Sequence, residues 1–249
     1  MTALTFAFQE VINEVDAFSH LAHDFIEPNS RFVLPQFKSE LESYREQPTK
    51  DGYEWQIRPD FPLRTTVSRG EYEVGGGGEH HVFADIDACW SIQRIPERKR
   101  KLPARQFKLT GIASTRVRLW CQIDEGKKKE IAMWRMEIGD DASPGCHFHV
   151  QVLGELPDFP FPKSLSVPRL PGLILTPPGV AEFVLAELFQ DRWPEHVGRD
   201  SPHLKRWAPI QEGRFRRLLQ WKLDVLRTNT GSPWTTIKRR KPDGMLFMA

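Results

Sequence analysis

The chain has 249 residues, 39% of them apolar, with 35 basic side chains against 33 acidic ones. That apolar share can furnish a real core at this length, which excludes disorder and collagen-like order. No run approaches the ~20 consecutive apolar residues of a membrane span, and no basic-then-apolar leader opens the sequence. Cys89, Cys121 and Cys146 show no C-x-x-C spacing, so the expectation is a reduced, cytoplasmic protein without a disulfide framework, a cysteine-built zinc site or a membrane partner.

Phe8, Val11, Ile12, Val15, Phe18, Ala22 and Phe25 recur at three- and four-residue steps, predicting an amphipathic helix over about residues 6–26 that Pro28 closes. A second helix is expected after Pro35, with Phe37, Leu41 and Tyr44 inward and Lys38, Glu42 and Arg45 toward water. Residues 47–73 read as loop with short strands at 53–57 and 65–67. The four glycines Gly75–Gly78 have too much backbone freedom to hold a shape alone and mark a linker or mobile loop.

After the glycines the period changes to two. Strands are expected at 82–95, 107–123, 130–138 and 146–153, joined by connections too short for a crossover helix, which makes them an antiparallel meander. Seven prolines between Pro157 and Pro178 predict a wrap that does not pair. Thr176-Pro177 is a capping hydroxyl before a first-turn proline and starts a helix through Gln190. The last helix is read at 212–227, with Phe215, Leu218, Leu219 and Leu226 inward and Arg214, Arg216, Arg217 and Lys222 largely outward. A basic tail, 234–241, follows. The expected fold is a single α+β domain over 1–249: an N-terminal helical segment (1–46), a central antiparallel sheet of at least four strands (82–153), a proline-rich wrap (154–178), and C-terminal helices with the tail (179–249).

Alternation along the strands sorts side chains onto two faces. One is apolar; the other gathers Asp85, Asp87, Arg116, Arg118, Arg135, Glu137, His147 and His149. Two histidines at i and i+2 of one strand, His147 and His149, with Asp85, Asp87 or Glu137 as oxygen donors, form a candidate site for a divalent metal. Arginines beside them suit a phosphate or carboxylate. The alternative for this face is a solvated surface of cross-strand ion pairs.

The string His147-Phe148-His149-Val150-Gln151-Val152-Leu153, after Ser143-Pro144-Gly145, resembles the histidine-triad superfamily motif in its transferase-like form. The resemblance covers about a dozen residues. It implies a catalytic set in which His149 is the nucleophile on a nucleotide phosphorus, Gln151 contacts the phosphate and His147 supports the imidazole, with Glu137 nearby on the polar face. Gln151 stands where the hydrolase form has a third histidine.

Charge is distributed unevenly. Residues 1–46 hold three basic and eight acidic side chains, residues 192–241 thirteen and four. Such a gradient steers a polyanion to one end or docks one end on the other. Arg98, Lys99, Arg100 and Lys101 in a hairpin connection, with Arg216, Arg217, Arg239 and Arg240 near the C-terminus, are candidate nucleic-acid contacts. Trp120, Trp207, Trp221 and Trp234 supply stacking surfaces where exposed. The leading expectation is a binding or accessory protein of a multi-protein complex or oligomer that engages nucleic acid or an acidic protein surface. The alternative is an enzyme working by metal-dependent phosphoester hydrolysis or nucleotidyl transfer.

Overall fold

The computed structural model describes residues 3–47, 51–95, 104–124, 126–139, 146–152, 169–173, 176–228 and 230–248. Strand β1, Thr5–Ala7, runs directly into helix α1, Phe8–Leu21, whose Phe8, Val11, Ile12, Val15, Phe18 and Leu21 are all buried. A 3-10 turn at His23–Phe25 ends that stretch. Helix α2, Val33–Glu46, begins two residues before Pro35 rather than after it. A first-turn proline is tolerated because the N–H it lacks has no intrahelical acceptor there.

Eight further strands follow: β2 (Tyr53–Ile57), β3 (Leu63–Arg64), β4 (Ser68–Arg69), β5 (His81–Arg94), β6 (Gln106–Asp124), β7 (Lys127–Ile138), β8 (Phe148–Val152) and β9 (Arg169–Pro171). They form an antiparallel sheet in the order β2-β5-β6-β7-β8-β9, with β3 and β4 on β5 and β1 on β6. The meander expected over 82–153 is therefore the spine of the sheet. Lys127, Lys128 and Lys129 belong to β7 and not to a turn, because Gly126, at φ 81°, reverses the chain tightly.

Two readings of the connections are corrected. The glycine run is a built turn: Gly76 N–H donates to Glu73 O (2.9 Å), Gly78 N–H to Gly70 O (3.1 Å) and Gly75 N–H to the Asp191 carboxylate (2.7 Å). A Cβ on Gly78 would lie 2.4 Å from the Tyr72 ring, so the run supplies close approach as well as freedom. In the proline-rich region, Arg169–Pro171 does pair, antiparallel to β8 at the sheet edge, where a proline costs no ladder bond. Residues 153–168 lie outside the described residues.

Helix α3, Pro177–Leu188, starts where expected, Thr176 Oγ1 accepting from Gly179 N–H at 3.3 Å. Helix α4, Arg192–Val197, has no counterpart in the sequence reading. Helix α5 runs from Pro202 to Arg227, ten residues earlier than expected, capped by Ser201, whose hydroxyl accepts from Leu204 N–H (3.0 Å). Pro209 does not break it. Pro209 is exposed, so the Lys205 carbonyl that its missing N–H frees is on the wet side of the helix. The face assignment of α5 is also corrected: Trp207, Arg214, Leu218 and Val225 are buried, while Phe215 and Leu219 are exposed. Helix α6, Pro233–Arg239, packs on α5.

One contiguous core joins the apolar sheet face to the helices and takes in residues from Leu4 to Phe247. Trp90, Ile86, Ala88 and Val117 of the sheet meet Phe8, Phe18, Leu41, Val184 and Trp207 of the helices there. No described helix is long and apolar enough to cross a membrane.

Candidate functional site

Because the helices cover the apolar face, the other face of β5–β8 is left to polar side chains, and the register fixes its rows. Asp85 sits opposite Arg118, and Arg118 opposite Met133. The next row is Asp87, Arg116, Arg135, Gln151; the next is Cys89, Ser114, Glu137, His149. Each carboxylate has two basic partners. Asp85 receives a two-pronged contact from Arg64 (2.7 and 2.9 Å) and has Lys128 at 3.9 Å. Asp87 pairs with Arg116 (3.0 Å) and more loosely with Arg118 (3.6 Å). Glu137 meets Arg135 (2.7 Å) and His149 (2.9 Å).

Five permanent cations thus share these three carboxylates. Burial pushes the Lys128 ammonium below its ordinary pKa, and neighbouring Arg64 and Arg118 push it the same way against the pull of Asp85 and Glu130. Lys128 leans on the ring of Trp120 at 4.1 Å. Burial likewise pushes the Asp87 carboxyl up, although Arg116 and Arg118 pull it down. Arg116 and Arg135 stand directly opposite each other on adjacent strands, with Arg118 two residues along. Cβ atoms in that relation are about 5 Å apart, and like charges so placed repel. Their side chains keep 29% and 37% exposure, so an incoming anion can reach both.

The structure brings His149, Glu137 and Gln151 together and places His149 deep. It is 2% exposed; Nδ1 is 2.8 Å from the Cys146 carbonyl and Nε2 2.9 Å from Glu137. With both ring nitrogens engaged, neither faces a phosphorus or a metal unless Glu137 moves. Gln151 receives Arg135 Nη2 at 3.3 Å. His147 precedes β8, its ring edge-on to Phe148 at 4.9 Å. Of the proposed metal donors, Glu137 lies beside His149 (2.9 Å), whereas Asp85 and Asp87 are on β5, three strand spacings or about 14 Å from β8. Among the described residues no three His, Cys, Asp or Glu side chains are grouped to hold a metal ion.

No protein-family model, curated protein or solved structure matches the chain.

The remaining candidate residues divide. Arg98, Lys99, Arg100 and Lys101 lie outside the described residues. Arg216 is exposed but paired with Glu212 (2.5 Å), and Arg217 is half-buried on α5. Arg239 and Arg240 are exposed at the end of α6, beside Lys238. Of the four tryptophans, Trp207 is buried, Trp221 packs on Phe148, Trp120 lies under Lys128, and Trp234 of α6 is 55% exposed. The basic end also borders the β8 side of the sheet: Lys222 donates to Gly172 O (3.1 Å), and Lys222 and Lys238 are near enough to pull the Cys146 thiol down against the burial that raises it.

The sequence reading placed Arg116, Arg118 and Arg135 on the polar face as arginines suited to a phosphate or carboxylate. It did not name Arg64. The available signal was the hairpin register, which seats Arg116 against Arg135 once Gly126 is taken as the tight turn.

Proposed function

We propose that the chain is a nucleic-acid-binding protein that holds phosphates on the arginine-rich sheet face, with the α6 end adding charge and one stacking surface. The observation that carries this reading is the opposed pair Arg116 and Arg135, backed by Arg118, on the sheet face away from the helix-covered core, with 29% and 37% of the Arg116 and Arg135 side chains exposed. A phosphate between two guanidiniums relieves their repulsion and accepts from both. Trp234, exposed beside Lys238 and Arg239, favours single strands, whose unpaired bases can stack.

Five phosphate contacts, from Arg116, Arg118, Arg135, Lys238 and Arg239, predict that affinity for a single strand falls on the order of a hundredfold between about 50 and 200 mM salt. Fluorescence anisotropy with labelled single-stranded DNA and RNA measures this. Arg116→Gln with Arg135→Gln is expected to weaken binding and lower the salt slope by about 1.4, two contacts' worth. Undetectable binding at low salt, or an unchanged slope in the double variant, overturns the assignment.

A further inference from the structure

The opposite, apolar side of the sheet is not filled everywhere. Between β6–β8, helix α3 and the 70–80 loop lies a cavity of about 610 Å³, within the range of small-molecule sites. Leu119, Ala132, Trp134, Met136, Val150 and Val152 form its sheet wall, and Phe183 and Leu188 its helix wall. Leu119, Trp134 and Val150 stay only partly buried because α3 does not reach across them.

Acidic side chains outnumber basic ones among the described residues around this cavity. Among the described residues of its lining, Glu187 is the one Asp, Glu, Lys or Arg. The loop forming the mouth contributes Tyr72 and His80 to the lining and carries exposed Glu73 and Glu79. It is pinned to the end of α3 by Gln190 N–H on Glu71 O (3.0 Å) and by Gly75 N–H on Asp191 (2.7 Å), which brings further carboxylates to the same rim. Arg192 answers Glu71 at 3.2 Å. In a chain whose other sheet face has surplus positive charge, an acid-rimmed apolar cavity selects the opposite kind of ligand.

We infer that this cavity is a binding site for an organic cation with an apolar body, an alkyl- or arylammonium. The body fills the space between the sheet and Phe183, and the ammonium stays at the mouth facing Glu187 with the Tyr72 ring close by. An ammonium there keeps part of its hydration and gains carboxylates and an aromatic face. A carboxylate of the same size would meet no lysine or arginine among the described lining residues, at a desolvation cost. This site is independent of the nucleic-acid reading, since it uses the other face of β6–β8.

Isothermal titration of the full chain with decyltrimethylammonium, decanol and decanoate, each below its micelle concentration, tests the inference. The ammonium is expected to bind one to one, and decanoate about tenfold or more weaker. Glu187→Gln should narrow that gap while leaving decanol unchanged. Ala132→Phe, at a partly buried wall position, should abolish binding of all three with an unchanged melting temperature. Equal or tighter binding of decanoate refutes the charge selection. No binding of any probe, as when another segment or a protein partner fills the cavity, refutes the site itself, and neither result bears on the arginine face.

Discussion

Replacing Arg214 by leucine distinguishes an outward cation from a buried one. On α5 its side chain is 3% exposed and sits between two carboxylates of α1: it contacts Glu14 at 2.5 Å and Glu10 at 2.9 and 3.1 Å. Glu14 is fully buried, and its Oε1 also accepts from Thr176 (2.6 Å) and Gln211 (2.7 Å). Those two carboxylates hold the guanidinium charged against the burial that would lower its pKa, and nearby Glu182 is pushed up by burial and by Glu14. Arg214→Leu leaves Glu14 charged and dry, a loss of about 3–5 kcal/mol. At about 2–4 °C per kcal/mol for a chain of this size, the melting temperature should fall by about 6–20 °C. Adding Glu14→Gln removes the stranded charge but keeps an oxygen for Thr176 and Gln211, so the double variant should regain half or more of the loss, a coupling of about 1–3 kcal/mol. Urea unfolding followed by tryptophan fluorescence and circular dichroism provides both numbers. A change within about 0.5 kcal/mol for Arg214→Leu, the usual range for a surface site, would refute the buried network.

His149→Ala strips Glu137 and the Cys146 carbonyl of one partner each and should cost about 1–3 kcal/mol in urea unfolding while leaving nucleic-acid affinity within about twofold, Arg135 being still present. Trp234→Ala should weaken single-strand binding by about five- to a hundredfold in anisotropy titrations, one base's worth of stacking, with no change in melting temperature. His203 stacks on His20 at 4.6 Å; burial, His20 and Arg206 together lower its pKa from 6.5. The unfolded chain therefore binds more protons between that lowered value and 6.5, stability rises with pH through the window, and His203→Gln should flatten that part of the pH–melting curve.

The strands were legible because their pattern is local. Phe148, Val150 and Val152 alternate with His149 and Gln151, and one face had to be dry, so both the faces and the ends of β5–β8 followed within a residue or a few. Helix α5 was harder. Its buried stripe is interrupted by a charge, and a pattern search naturally puts Arg214 outside and Phe215 inside; only the carboxylates of α1, some two hundred residues away in sequence, reverse that choice. Pro209 hid the first turns for a similar reason, since its cost depends on whether the freed carbonyl is wet. For the site, the polar face could be listed from alternation, but the opposed arginines are a matter of register between β6 and β7. The seclusion of His149 depends on Glu137 and the chain before β8, which no motif encodes. The glycine run shows the limit from the other side: composition registers backbone freedom, and only the packed Tyr72 ring shows that the missing Cβ matters as well.

The charge gradient along the chain left two readings open, docking of one end on the other or attraction of a polyanion, and the first is visible in the fold. Arg206 reaches Asp16 (2.9 Å) and Arg214 reaches Glu10 and Glu14, so part of the basic end is consumed in holding α5 to α1. Arg199, Lys205, Arg216 and Arg227 pair with acids three to five residues away on their own segment, contacts that salt screens and that contribute little. Lys238 and Arg239, by contrast, stand exposed on the short helix that also presents Trp234. The same sorting occurs on the sheet, where Asp85, Asp87 and Glu137 neutralise part of the arginine face and leave positive charge at its centre. Surplus of one sign at two helix-free or solvent-facing places, after internal pairing has taken its share, is a stronger argument for an anionic ligand than net charge, which at +2 is nearly silent. It also makes the acidic residues at the cavity on the far side of the sheet stand out, because Glu187 has no lysine or arginine beside it among the described lining residues.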